Sequence, residues 1–425
     1  MGKDIDFTAQ AVPAAKRKGL LSMFFIMLGF TFFSASMWTG QKLASGMDLY
    51  GFIGALLLGG LILSAYTGAL GFIGADSGLT LDMMARRSFG KKGSWLPSAM
   101  IAFTQIGWFG VGIAMFAIPI VTQLLHIEVT PDYMPWQGYA MVAIAGLLMT
   151  ATAYYGIKSL ALISYIAVPC VAVLGTVAMV MAVQKGSGTL ESQFAIGTKD
   201  MSLFAGAGLV IGSFVSGGTA VPNFTRFAKG KWTGLWVTIV AFFLGNSLMF
   251  FFGAISSIYV GGNDIFEVMV NLGLFYAAII VLGLNIWTTN DNALYSSGLG
   301  LSNIFGLPKH TMVLVAGAIG TLLAVWLYWN FCDWLNILNC TLPPLGAILI
   351  LDYFCSKHAA VSSADSAQSS LPAEHTEVTV NWYSIIGLVA GAVVANLIPW
   401  GVASINGMAV AALCYLAGKC FVRKD

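Results

Sequence analysis

Long apolar runs decide what this chain can become. From Leu20 onward, hydrophobic stretches of about twenty residues follow one another with short polar breaks. Each is long enough to cross a hydrocarbon core of roughly 30 Å as an α-helix. Lipid cannot satisfy open backbone groups, so segments of this length must be helical. Only 9% of the residues are charged, against roughly 25% in a soluble domain. The short alternating segments of an outer-membrane barrel are absent. The class is therefore an all-α polytopic membrane protein. We count twelve spans, at roughly 20–43, 50–73, 95–125, 136–157, 159–183, 202–227, 233–260, 272–299, 310–328, 331–354, 382–400 and 403–422.

Charge tests that count. With the N-terminus in the cytoplasm, 17 of the 20 Lys and Arg residues fall inside, and only Lys42, Lys185 and Lys199 fall outside. That is the bias expected of cytoplasmic loops, and one span more or fewer midway would scramble it. Both termini are expected in the cytoplasm. The first run follows Lys16-Arg17-Lys18 and is full length, so it reads as a retained span and not as a secretory signal. Residues 1–18 form a polar tail, 19–355 a ten-helix core, 356–381 a Ser-rich linker, and 382–425 two further helices with a short tail. The six cysteines lie in or beside apolar runs and read as small buried hydrophobes. The four histidines are expected in loops.

Span 8 carries an unusual stripe. Asn285, Thr288, Thr289 and Asn292 fall at i, i+3, i+4 and i+7 and share one helix face. In a membrane that face must meet other helices or a cavity. Two adjacent hydroxyls beside an amide make a cluster of hard oxygens suited to a small cation. The alternative is that they bond only neighbouring helices or their own i−4 carbonyls.

Two other segments share a different feature. Gly29-Phe-Thr-Phe-Phe-Ser-Ala-Ser-Met-Trp-Thr-Gly40 in span 1 and Gly212-Ser-Phe-Val-Ser-Gly-Gly-Thr-Ala-Val-Pro-Asn223 in span 6 are both rich in Gly, Ser, Thr and aromatics. They lie five spans apart, and Gly217-Gly218 with Pro222 are expected to break helix 6. Broken helices at matching places in two halves point to an inverted-repeat transporter. Close packing through small residues is the competing reading. In span 3, Gln105 and Trp108 share a face. An amide beside an indole describes a pocket for a planar ring with polar edges, such as a nucleobase. Packing alone would also explain the pair.

Asp291 and Asp333 are the ionisable groups away from span ends. Neither lies on the stripe, which favours Na⁺ over H⁺ as the coupling ion. No P-loop, His/Cys metal cluster or nucleophile elbow occurs, so catalysis has no candidate constellation. Nothing in the basic residues suggests nucleic-acid binding. A channel would need a continuous polar path, and a receptor a signalling domain.

The segments Phe33-Ser-Ala-Ser-Met-Trp-Thr-Gly40, Gly90-Lys-Lys-Gly-Ser-Trp-Leu-Pro97, Gln105-Ile-Gly-Trp-Phe-Gly-Val-Gly112 and Leu282-Gly-Leu-Asn-Ile-Trp-Thr-Thr-Asn-Asp-Asn-Ala-Leu-Tyr295 resemble the nucleobase–cation symporter family. The likeness runs from about residue 12 to the last spans and weakens at 126–137 and 356–380. It implies a LeuT-type fold, with spans 1–5 and 6–10 as inverted repeats, discontinuous helices 1 and 6, and two additional C-terminal helices. It implies a monomeric Na⁺-coupled importer of cytosine in the bacterial inner membrane, with no cofactor. By resemblance, backbone oxygens of Gly29, Phe32 and Asn285 and the hydroxyls of Thr288 and Thr289 bind the cation. Cytosine lies between Trp108 and Phe214, its edge bonded by Gln105 and Asn285. Ser213 and Ser216 complete the contact, and Phe33 closes the outer side. Asn223 departs from the family, whose members often have an acidic residue there. Another planar heterocycle, such as uracil, a purine, a hydantoin or allantoin, is the alternative substrate.

Overall fold

The computed structural model describes residues 10–155, 157–196, 199–262, 265–362 and 378–422. The rest of the N-terminal tail, most of the linker and the last three residues lie outside the described residues, as does His375.

Helices stand where the twelve apolar runs predict them. Span 1 is Leu20–Thr31 plus Ser34–Gly46, span 2 Leu49–Ser77, span 3 Trp95–Pro119 with a π turn to Leu124, and span 4 Trp136–Tyr154. Span 5 is Ile157–Lys185, span 6 Leu203–Thr219 plus Pro222–Thr225, and span 7 Lys231–Val260 with a π turn at Ala241–Gly245. Spans 8 to 12 are Phe275–Phe305, Lys309–Trp329, Phe331–Ser362, Trp382–Leu397 and Ala403–Val422. Among the described residues, eight helices are long and apolar enough to cross a membrane by composition alone, or nine with the bent pair of span 1. Span 8 misses that test because its middle is polar.

Packing carries the repeat. Span 1 packs on span 7 as span 6 packs on span 2. Span 3 packs on span 9 as span 8 packs on span 4, and span 5 meets span 1 as span 10 meets span 6. Exchanging spans 1–5 for 6–10 maps each contact onto its counterpart. Two groups result, spans 1, 2, 6 and 7 and spans 3, 4, 8 and 9. Spans 11 and 12 pack on each other and on span 10.

Glycine sets the closest of these approaches. A Cβ on Gly40 of span 1 would stand 2.7 Å from Phe250 Cα of span 7. One on Gly253 of span 7 would stand 2.6 Å from Met37 Cα of span 1. Small residues let membrane helices meet backbone to backbone, where dispersion does the holding.

Four sequence expectations change. Gly217 and Gly218 stay helical, and span 6 is interrupted after them, at Ala220–Val221, where Pro222 starts a new turn. Span 10 runs on to Ser362, into the segment expected to be linker. His310 lies in the first turn of span 9 against Tyr154, with ring centroids 4.8 Å apart. None of the six cysteines is fully buried; Cys332 and Cys420 are exposed and the others intermediate, so these thiols sit on the perimeter and not in the core.

Gly253→Leu is expected to lower the thermal unfolding midpoint in detergent, since its new atoms meet backbone that cannot yield. Overpacking of this kind costs about 1–3 kcal/mol. Gly230→Leu, where nothing lies within 4 Å, should leave the midpoint unchanged.

Candidate substrate and cation site

The site begins at the break in span 1. Its two halves meet at 50°. Phe32 and Phe33 leave the helical region, with ψ of 83° and 132°. The Phe33 N–H turns to the Thr31 carbonyl (2.9 Å), so the Gly29 carbonyl loses its i+4 donor. Open backbone groups at this depth must find partners. Asn285 of span 8 supplies them. Its side-chain N–H₂ donates to the Phe32 carbonyl. Its side-chain oxygen accepts from the Ser34 N–H at 3.0 Å. One amide thus ties both sides of the break to span 8. It keeps one N–H and one lone pair for another partner.

Below that clamp the stripe turns inward. Thr288 and Thr289 donate to the Asn285 carbonyl at 2.8 and 3.1 Å. This is the i−3/i−4 bonding expected of hydroxyls in an apolar helix. It also gathers three neutral oxygens at one point, each with lone pairs to spare, next to the Phe32 carbonyl that Asn285 holds. Gly29 lies one turn before the break, on the same face as Phe32. The donor set is all neutral oxygen, which suits a hard monovalent ion. Among the described residues no group of three His, Cys, Asp or Glu gathers around a common point.

Thr289 also lines a cavity. Its other walls are Phe30, Phe33, Gln105, Trp108, Ser213, Phe214, Gly217 and Ala293. Phe33 stands edge-on to Trp108 and to Phe214, with centroids 5.8 and 6.3 Å apart. Gln105 donates to Ser216 Oγ (2.7 Å), and Ser216 donates to Thr104 Oγ1 (2.8 Å). Ser213 donates to the Val210 carbonyl at 2.7 Å. The cavity measures about 10 Å³, room for about one water. A planar ring enters only if Phe33 swings out from between the other two aromatics.

Both faces of the protein are shut over this space. On one side Phe331 of span 10 stands edge-on to Trp108 (6.1 Å) and stacks flat on Trp38 (4.4 Å, 9°). On the side of the N-terminus, Arg226 is fully buried and donates to Tyr295 Oη (2.9 Å). There the Leu81 N–H donates to Asn223 Oδ1 at 2.9 Å. The neutral Asn223 thus bonds its neighbour through its amide oxygen. Burial pushes the Asp82 carboxyl next in the chain above the usual carboxylate range, against the pull of the Ser98 hydroxyl and of the Arg86 and Arg226 charges.

The residues named from sequence therefore fall into two touching groups. Asn285, Thr288, Thr289 and Phe32 share one hydrogen-bonded cluster. Phe33, Gln105, Trp108, Ser213 and Phe214 line one cavity, with Ser216 behind Gln105. Phe30, Gly217 and Ala293 were missed. Ala293 is one turn past Thr289 and Gly217 one turn past Ser213, so helical register would have found both. Asp291 points off the stripe and accepts from Thr152 Oγ1 of span 4 at 2.8 Å.

A family model described as permeases for cytosine/purines, uracil, thiamine and allantoin matches residues 11–418. The chain belongs to that permease family. It is 43% identical over 416 residues to the cytosine permease of Escherichia coli strain K12, covering 98% of this chain and 94% of the relative. It is 23% identical over 379 residues to the hydantoin permease of Microbacterium maritypicum, covering 82% and 74%. A nucleobase-cation-symport-1 family transporter, solved in a closed conformation with bromovinylhydantoin bound, matches with a TM-score of 0.81 at 21% identity, over 97% of this chain and 95% of that one. The fold of this permease is thus the LeuT-type inverted repeat, and it is a multi-pass membrane protein.

Asn285→Ala leaves the Phe32 carbonyl and the Ser34 N–H buried without partners, at about 1–3 kcal/mol each. It is expected to lower the unfolding midpoint more than Thr288→Ala does. Asn285→Asp keeps the acceptor for Ser34 and loses the donor to Phe32, so its midpoint should fall between wild type and Asn285→Ala in a thermal melt.

Proposed function

We propose that this permease imports cytosine, driven by Na⁺, through alternating access. The observation that carries the reading is Thr289. It lines the aromatic cavity and bonds the Asn285 carbonyl, so the candidate cation cluster and the candidate substrate pocket share a wall. An ion drawn to Gly29, Phe32, Asn285, Thr288 and Thr289 would stiffen the junction of spans 1 and 8. That orders the pocket, and by linkage the substrate tightens the ion by the same factor. Cytosine would lie between Trp108 and Phe214, with Phe33 displaced over it. Gln105 and the spare N–H and lone pair of Asn285 would bond its edge, with Ser213 and Ser216 beside them. The 43% likeness to a cytosine permease over nearly the whole chain supports cytosine as the substrate. Closing and opening would rock spans 1, 2, 6 and 7 against spans 3, 4, 8 and 9.

The setting is the bacterial inner membrane with both termini in the cytoplasm, which the 17-to-3 split of basic residues supports. The transport unit is a monomer, since one chain carries both repeats and every candidate ligand, and it needs no cofactor. An amide offers both a donor and an acceptor, so Gln105 and Asn285 do not by themselves separate cytosine from uracil. The hydantoin permease relative makes other planar heterocycles the second reading.

The deciding test is labelled cytosine uptake into proteoliposomes at fixed pH, with and without an inward Na⁺ gradient. Uptake that needs Na⁺ and is blocked by cytosine but not by uracil or hydantoin is the expected result. Uptake driven by a pH gradient and indifferent to Na⁺ would overturn the coupling. In Thr289→Ala, Na⁺-dependent binding is expected to drop far more than folded yield. Full Na⁺ dependence in that variant would mean the ion site lies elsewhere.

A further inference from the structure

The helix Leu81–Phe89, between spans 2 and 3, is not part of the pocket, yet its first residue touches the seal beneath it: the Leu81 N–H is the donor to Asn223. Its last turn is held from another direction. Asp352 of span 10 accepts from Ser88 Oγ at 3.0 Å and pairs with Arg87 Nε at 3.3 Å. The same carboxylate accepts from Tyr415 Oη of span 12 at 2.7 Å and pairs with Lys419 Nζ at 3.6 Å. Span 11 adds to the hold. Asn381 Nδ2 and Ser384 Oγ both donate to the Ser88 carbonyl, at 2.9 and 2.7 Å. The Asn381 N–H donates to the Phe89 carbonyl at 2.7 Å, and the Lys91 and Lys92 N–H groups donate to the carbonyls of Val378 and Thr379.

We infer that Asp352 is a positioning residue for transport: through it, and beside the direct hold of span 11, span 12 keeps the helix Leu81–Phe89 still, as the fixed jamb against which Asn223 closes the cytoplasmic side. The carboxylate is nearly buried, with its side chain 10% exposed. Charge-assisted bonds in such a place are short and directional. Four donors from two elements meet on two oxygens, so no single element can move without leaving the carboxylate short. The gate segment after the span 6 break must part from Leu81 for the cytoplasmic side to open. A jamb pinned to the C-terminal pair stays behind when it does, and closure then finds its partner in place. This gives the two helices outside the repeats a task in the cycle.

The test is hydrogen–deuterium exchange of the full chain in lipid nanodiscs, which needs no substrate and so stands apart from the cytosine reading. Asp352→Asn keeps the shape and removes both ion pairs. Amides of residues 81–89 are expected to exchange about tenfold faster, with residues 101–115 of span 3 unchanged. In proteoliposomes the same variant should lower the maximal uptake rate several-fold and leave KM for the transported base unchanged. Tyr415→Phe and Ser88→Ala remove one donor each and should move both readouts the same way by less. They carry the test if Asp352→Asn is not recovered folded. Unchanged exchange over 81–89 in these variants overturns the inference. So does faster exchange throughout the chain, or a raised KM at unchanged maximal rate.

Discussion

The structure depends on one amide. A helix that stops in mid-membrane leaves donors and acceptors that lipid cannot satisfy. Span 1 stops at Phe32–Phe33, and Asn285 answers with a donor for one side and an acceptor for the other. Without span 8 the break in span 1 would be untenable. Without the break, the Asn285 side chain would have neither the Phe32 carbonyl nor the Ser34 N–H to bond. Span 1 belongs to one packing group and span 8 to the other, so the clamp sits on the seam between them. Anything that adds to or subtracts from that cluster acts on how the two groups hold together. A monovalent ion among the neutral oxygens of Thr288, Thr289 and the Asn285 carbonyl would bear on that seam directly, while a group elsewhere in the same helix would not.

The two broken helices are not broken alike. Span 1 opens by 50° at a pair of phenylalanines, with no glycine or proline at the break. Span 6 runs from Leu203 to Thr225 without so sharp a bend and loses only Ala220–Val221 before Pro222. Its glycine pair serves packing instead. A Cβ at Gly217 would run into the Phe30 ring, and one at Gly218 into the Thr67 methyl. Phe30 in turn packs edge-on to Phe214, with centroids 5.6 Å apart. The glycines therefore make room for the aromatic floor under the cavity. A GG pair in a membrane helix has two uses, flexibility and closeness, and here the second prevails because a ring fills the space.

Much of this is legible in the sequence. Apolar length gives the spans, charge bias supports their number, and 100° periodicity puts Asn285, Thr288 and Thr289 on one face. Periodicity says which side chains look the same way; it does not say what they look at. The Ser34–Asn285 bond joins residues 251 apart in sequence, and no local rule pairs them. The hydroxyls of Thr104 and Ser216, which hold Gln105 in place, lie 112 apart. Composition also hid the helix Leu81–Phe89. Its ties to Asn223 and Asp352 exist only once spans 6, 10 and 12 have closed around it. The ends of the segment 356–381 are hard to read from sequence for the same reason. Its first residues continue the helix of span 10 to Ser362, and at its far end Val378, Thr379 and Asn381 pair with the backbone of Lys91, Lys92, Gly93 and Phe89.

The same local view explains why a neutral Asn223 is enough at the seal on the side of the N-terminus. The bond that matters there comes from a backbone N–H at the start of a helix, and an amide oxygen accepts it as a carboxylate oxygen would. An acid at 223 would gain from the helix dipole and from Arg226, whose Nε donates to the residue's own carbonyl at 3.1 Å. It would also set a second carboxylate beside the residue that follows Leu81. That residue is Asp82, which is already buried, already pushed up in pKa, and leaning on the same arginine. Two acids sharing one cation in a dry place raise each other's pKa, so the second charge would return little of the attraction that brought it. With Asn at 223 the arginine's charge is left to Asp82 and Tyr295, and the seal rests on hydrogen bonds that do not compete.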